Sequence, residues 1–198
     1  MNEPNILIRD DNFLSSQEIE FYQSLMPNNW TPGPSIQNIK YFSKDLYDHY
    51  QWKGDWDSPK WLDTTPPEWE TLYNKIAKLL PNHYVHWIDL KITPSGLSGT
   101  PLHRDKDPWT IGGDTTRFSR AITVLCNLNH EWNPSWGGEF VLHSEQNKQL
   151  TEHTRIPICP GQLLIMENCY HSISPIVAHG RSRLSFILHV LEYKHDSN

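Results

Sequence analysis

From residue 84 onward the chain changes character, and that change limits the folds open to it. Residues 84–93, 118–127, 139–143, 162–166 and 181–193 are short runs rich in β-branched and aromatic residues, separated by Gly, Pro and Asn clusters. Strands this short and this closely spaced, with few helical signals after residue 81, suggest a sandwich or jelly roll. The first third reads differently, as helical and irregular. Ser15-Ser16-Gln17-Glu18 has the form of a capping box, with Ser15 as N-cap and a helix running to about Met26. Thr65-Pro66-Pro67-Glu68 predicts a second start, with Thr65 as N-cap. After it Trp69, Leu72, Tyr73, Ile76, Leu79 and Leu80 keep helical spacing, so this helix buries one face. The expected class is mainly β with N-terminal helices, an α+β arrangement in which helices buttress a β domain.

Length and composition set the outer bounds. With 198 residues the chain is the size of one domain, expected to span 1–198 with a helical and loop part (1–83) before a β core (84–193). Nine tryptophans and 37% hydrophobic residues suffice for a core despite a mean hydropathy of -0.62. A net charge of -6 argues against nucleic acid as a partner. The N-terminus lacks the long apolar stretch of a signal peptide, and no segment is apolar long enough to span a bilayer. Cys126, Cys159 and Cys169 are odd in number and form no CxxC pair. A reduced, cytoplasmic setting is the expectation.

The chemistry concentrates in Pro101-Leu102-His103-Arg104-Asp105. Along a strand, residues i and i+2 project to the same side, so His103 and Asp105 can converge on one metal ion while Arg104 points away. His171, which follows an apolar run after the Pro160-Gly161 turn, is the best third ligand. Two histidines and one carboxylate on one face leave coordination sites open, the arrangement suited to non-haem Fe(II) oxygenases. An HxD triplet alone is weak. It gains weight from Arg181-Ser182-Arg183-Leu184-Ser185, where positions 181, 183 and 185 share one face of a strand. An arginine fork with a nearby hydroxyl suits a carboxylate.

The ordered motifs HRD, WGGEF, PGQLLIMENCYHSISPI and GRSRLSF resemble the prolyl-4-hydroxylase-like branch of the 2-oxoglutarate/Fe(II)-dependent dioxygenase superfamily over residues 84–193. The resemblance implies a double-stranded β-helix (jelly roll) and Fe(II), 2-oxoglutarate and O2 as cofactors, with ascorbate as an accessory. It implies that His103, Asp105 and His171 hold the iron and that Arg183 with Ser185 binds 2-oxoglutarate, Arg181 being the other candidate anchor. Thr93 stands where many members carry a tyrosine, so another side chain must complete the pocket. The implied reaction couples decarboxylation of 2-oxoglutarate, with release of succinate and CO2, to oxidation of a substrate C–H. Asp105 argues for hydroxylation, since the related halogenases have a small residue there.

Substrate lies beyond the motifs. The turn-rich segments 107–117 and 129–136 carry Trp109, Trp132 and Trp136, candidates for lining the mouth, and the aromatic segment 27–64 for a lid or staple. A peptidyl prolyl or other amino-acid residue is the favoured substrate, with a small molecule as the alternative. A cupin-like, non-catalytic binding jelly roll would need the metal trio but not Arg183 and Ser185. A zinc hydrolase would need a general base the sequence does not offer. His83, His86, His130, His143, His153, His179 and His189 read as structural or surface groups, and Glu139 and Glu167 as strand or turn residues.

Overall fold

The computed structural model describes residues 4–26, 31–32, 38–41, 65–80, 82–96, 99–105 and 118–194, without the side chains of 31–32, 38–41, 86 and 87. The segments 42–64 and 107–117, with Trp109 and most of the proposed aromatic lid, lie outside those residues. The described elements are β1 (Ile6–Asp10), α1 (Ser16–Ser24), β2 (Thr31–Pro32), β3 (Asn38–Tyr41), α2 (Glu68–Ala77), β4 (His83–Pro94), β5 (Thr100–His103), β6 (Phe118–Asn127), β7 (Phe140–Gln146), β8 (Gln149–Ile156), β9 (Leu163–Glu167), β10 (His171–Ile173) and β11 (Ser182–Tyr193). They form two antiparallel sheets, one ordered β1-β9-β6-β11-β4-β3-β2 and the other β5-β10-β7-β8. This is the jelly roll of a double-stranded β-helix with helices on one side. No helix among the described residues is long and apolar enough to cross a membrane.

Strict alternation along β11 divides the molecule. Leu184, Phe186, Leu188 and Val190 point to the helix side, where Phe186, Leu188 and Val190 join one core with Ile88, Leu90, Val124, Ile165, Trp69 and Ile76. Trp69 and Phe186 are fully buried and stack with ring centroids 5.5 Å apart. The odd positions, Arg183, Ser185, Ile187 and His189, face the second sheet and line a cavity. Below it, Leu125, Leu164, Met166 and Ile187 of the large sheet meet Phe140, Leu142 and Ile156 of the small one.

Helix α1 begins as its sequence indicates. The Ser15 backbone N–H donates to Glu18 at 2.8 Å and the Ser15 hydroxyl accepts from the Glu18 N–H at 3.3 Å. Helix α2 corrects the expected start at Thr65: its N-cap is Pro67, without a side-chain cap bond. Pro66 precedes another proline and is disfavoured from helical geometry, so the helix starts only after the pair. The first third also contributes strands β1, β2 and β3 to the large sheet, which its irregular appearance concealed. Strands β8 and β10 were equally unannounced, and the strand expected to carry both His103 and Asp105 ends at His103, as β5. β7 and β8 join through Asn147 and Lys148, both at positive φ, as a tight hairpin requires. In the WGGEF motif, Gly137 sits at φ 76, and a Cβ there would fall 2.1 Å from the Pro175 carbonyl. Only glycine lets that turn close on the segment after β10.

Candidate active site

The small sheet brings the two histidines together. His171 at the start of β10 pairs directly with His103 at the end of β5, and their rings lie 4.3 Å apart. Asp105, two residues past His103, turns its Oδ1 to within 3.7 Å of His103 Nε2 and 3.9 Å of His171 Nε2. The three donor atoms all lie within 4.8 Å of one another, so one metal ion could be held by all three. Both rings are set for it. His103 Nδ1 donates to the Pro101 carbonyl at 2.8 Å and His171 Nδ1 to the Cys169 carbonyl at 2.9 Å. A carbonyl can only accept, so the proton sits on Nδ1 and the Nε2 lone pair faces the centre.

Asp105 is fixed from the large sheet. Thr123 Oγ1 donates to its Oδ2 at 2.9 Å, His189 Nδ1 lies 3.5 Å from the same oxygen, and Asn168 Nδ2 donates to its backbone carbonyl at 3.0 Å. One carboxylate oxygen is thereby engaged and the other left for a metal. Burial alone would raise the Asp105 pKa. The surrounding His189, His171, Lys91 and His103 more than reverse this and hold it well below the usual carboxylate range. Burial also pulls His171 down to about 4, against the attraction of Asp105, so its ring is neutral at ordinary pH. A neutral imidazole is the form that binds metal.

Arg183 closes the other end. It is 2% exposed, and among the described residues its Nε and Nη2 have no hydrogen-bond partner. Burial lowers its pKa to about 10, which still leaves it charged at neutral pH. Phe140, with its ring 5.9 Å from the guanidinium, offers only a weak cation–π contact. A buried, unpaired cation is costly, so the cavity is built for an anion. Ser185, one strand pair away and equally buried, lines the same space of about 300 Å³. The donor set therefore fits iron, and the orphaned guanidinium fits a carboxylate co-substrate.

Other expected site residues fall elsewhere. Arg181 precedes β11 and is spent on the surface, bonded to Glu131 at 2.6 Å and stacked 4.1 Å over Trp136. It does not line the cavity, because β11 begins at Ser182 and the shared-face rule holds only within a strand. Trp132 donates to the Gly137 carbonyl at 3.0 Å and meets Trp136 edge-on at 5.5 Å. Both line an outer groove with Arg181 and Glu131 rather than the metal cavity. His130 faces Glu20, Glu139 binds Arg155 and Glu167 binds Arg120, as structural groups do. His189 departs from that reading. It lines the cavity, as do Thr123 and Lys91. Extending the period-2 face from Arg183 through Ser185 and Ile187 would have reached it.

A profile of the 2OG-Fe(II) oxygenase superfamily matches residues 93–190, which hold the HRD motif, His171, Arg183 and Ser185. The chain belongs to this superfamily. Fe(II) and 2-oxoglutarate are the superfamily's cofactors. No curated protein matches the sequence. Among solved structures, a Pseudomonas putida prolyl-4-hydroxylase is similar at TM-score 0.57 and 16% identity, over 95% of this chain and 92% of that one. A Trichoplax adhaerens prolyl hydroxylase, in complex with a hypoxia inducible factor peptide fragment, aligns at TM-score 0.56 and 20% identity, over 93% and 83%. The epimerase SnoN from nogalamycin biosynthesis, in complex with Fe3+, alpha ketoglutarate and nogalamycin RO, aligns at TM-score 0.61 and 11% identity, over 99% and 84%. At these identities the likeness is one of fold.

Proposed function

We propose that this superfamily member is a hydroxylase acting on a substrate C–H, with a prolyl or other amino-acid residue as the favoured target. The observation that carries the reading is the buried Arg183, two guanidinium nitrogens unpartnered among the described residues, in one cavity with three convergent metal donors. A non-catalytic cupin-like roll has no use for that cation, and a zinc hydrolase has none either. His103 and His171 hold iron through Nε2 and Asp105 through Oδ1, while Thr123 and His189 keep Oδ2 turned away. Arg183 grips the far carboxylate of 2-oxoglutarate as a two-pronged donor, and Ser185 adds a hydroxyl beside it. When bound, iron and 2-oxoglutarate supply the oxidising power, dioxygen being consumed as 2-oxoglutarate is decarboxylated to succinate. Leu125, Phe140, Ile173 and Ile187 make the apolar walls that keep water from that chemistry. The whole chain, 1–198, acts as one domain, a reading supported by a core that Leu14, Ile19, Trp69 and Ile76 share with the large sheet.

Prolyl hydroxylation is supported by the fold likeness to two prolyl hydroxylases. A small-molecule substrate is the second reading, supported by the comparable fold likeness to SnoN. Mass spectrometry of peptide and amino-acid pools incubated with the protein, Fe(II) and 2-oxoglutarate tests both. A gain of one oxygen that requires 2-oxoglutarate identifies the pool. Absence of such a gain, together with absence of succinate, would remove the hydroxylase reading.

A further inference from the structure

We propose that Lys91 is a second co-substrate cation, gripping the 2-oxo acid head of 2-oxoglutarate near the metal ligands while Arg183 takes the far carboxylate. The inference rests on the reading of the cavity as a 2-oxoglutarate site and goes further, assigning each end of the ligand its own cation. Strand β4 alternates as β11 does. Ile88 and Leu90 point into the helix-side core, which sends Asp89, Lys91 and Thr93 to the cavity face. Thr93 is paired with Arg183, Lys91 with Ser185 and Asp89 with Ile187. Lys91 therefore stands one step closer than Arg183 to the end occupied by His189 and Asp105, a step of roughly 6.5 Å along the strand.

The lysine also leans toward that end. Its Nζ lies 3.9 Å from Asp89 Oδ2, and Asp89 is the neighbour on the metal side, not the Arg183 side. That spacing is an ion pair without a hydrogen bond, so it leaves the ammonium donors available to a ligand. The charge of Lys91 is felt at both Asp105 and His171, consistent with that placement. The cavity thus presents a planar fork at its closed end and a compact point charge nearer the metal, on one face of one sheet. A five-carbon dianion with a carboxylate at each end matches two cations at two levels.

The test is calorimetric binding to Mn(II)-loaded protein, which reads affinity without turnover. Two probes are used: 2-oxoglutarate, and 2-oxobutyrate, which keeps the 2-oxo acid head and lacks the far carboxylate. Lys91→Met should weaken both by a similar factor, about 10-fold or more for a lost charge-assisted contact. Lys91→Arg should recover most of that loss. Arg183→Met should weaken 2-oxoglutarate only. In the double variant the two losses for 2-oxoglutarate should multiply, as for cations on opposite ends of a ligand. Circular dichroism and bound manganese confirm that each variant is folded and loaded. If Lys91→Met leaves 2-oxobutyrate binding unchanged, or if the losses overlap in the double variant, Lys91 does not hold the head and the proposal is overturned. A wild-type protein that binds neither probe would instead overturn the co-substrate reading itself, and the proposal with it.

Discussion

At the scale of single residues, position on a strand face decides which of two similar side chains has a role. Arg181 and Arg183 are two residues apart in sequence, yet one is 45% exposed in an ion pair with Glu131 and the other is sealed in the cavity. Replacing Arg183 with Ala should cost about 2–4 kcal/mol of 2-oxoglutarate binding, about 30- to 1000-fold in affinity, by removing a two-pronged carboxylate contact. Arg181→Ala should change that affinity by less than about 3-fold, since exposed ion pairs contribute little. Direct binding titration ranks the two, and the reverse ranking would move the anchor. Thr123 is the second case. Its hydroxyl holds the Asp105 oxygen that faces away from His103 and His171, so Thr123→Val should lower metal affinity by about 10- to 100-fold while the shape of the side chain is kept. Competition with a chelating dye measures it. Unchanged affinity would mean that packing alone orients Asp105.

At the scale of elements, helix α1 is tied down by one acid doing two tasks. Glu18 closes the capping box with Ser15 and also receives Lys75 of α2 at 2.7 Å, which joins the two helices. The Lys75 bond, with the Ser15 contacts, lowers the Glu18 pKa from 4.5 to about 2. A depressed carboxylate contributes stability above its unfolded value and loses it as pH falls toward the folded one. The link between α1 and α2 should therefore weaken as pH drops from about 4.5 to 2. Ser15→Ala should cost about 1 kcal/mol by chemical denaturation at neutral pH. Loss of the cap should leave metal and 2-oxoglutarate affinity intact, because α1 packs on the opposite side of the sheet from the cavity. Trp132 and Trp136 belong at this scale too. Trp132 fits against Gly138, whose missing Cβ would lie 3.0 Å from its ring, so Trp132→Ala should destabilise the β7 entry rather than change the metal site. A thermal melt alongside manganese titration separates the two effects.

At the scale of the whole molecule, the cavity concentrates groups that folding alone would not favour. His171 is driven down to about 4 by burial, so the metal-free fold resists protonating it while the unfolded chain takes up that proton near 6.5. Between those values the unfolded state binds more protons, and the stability of the metal-free protein should fall as pH drops from 6.5 to 4. Asp105, held low by its histidine neighbours, contributes stability that is lost in stronger acid. Urea denaturation of chelator-treated protein across this range should show the slope, and His171→Gln should flatten it. Filling the site should do the opposite. With manganese bound, 2-oxoglutarate at 100 times its Kd adds about 2.7 kcal/mol and raises Tm, and the rise should be lost in Arg183→Ala.

Much of this was legible in the order of residues. The Arg183-x-Ser185 pair carries its chemistry in local spacing, because strand geometry puts i and i+2 on one side. The HxD triplet carries it in residue type and closeness alone, since β5 ends at His103 and Asp105 lies past the strand. The same local rules set the Ser15 cap, the bounds of β6 and the end of β11. Long-range pairing is what spacing cannot express. Only the β5–β10 register sets His103 against His171, across residues that show no pattern linking them. Only the packing of two sheets turns Thr123 and His189 onto Asp105, and only the β4–β11 register sets Lys91 beside Ser185. The choice between Arg181 and Arg183 also waited on the fold, since the face of a strand is fixed by where the strand begins. Residue type and period are local, so they reveal which groups can do chemistry. Which of those groups meet depends on the register between strands distant in the chain, and only the fold sets that register.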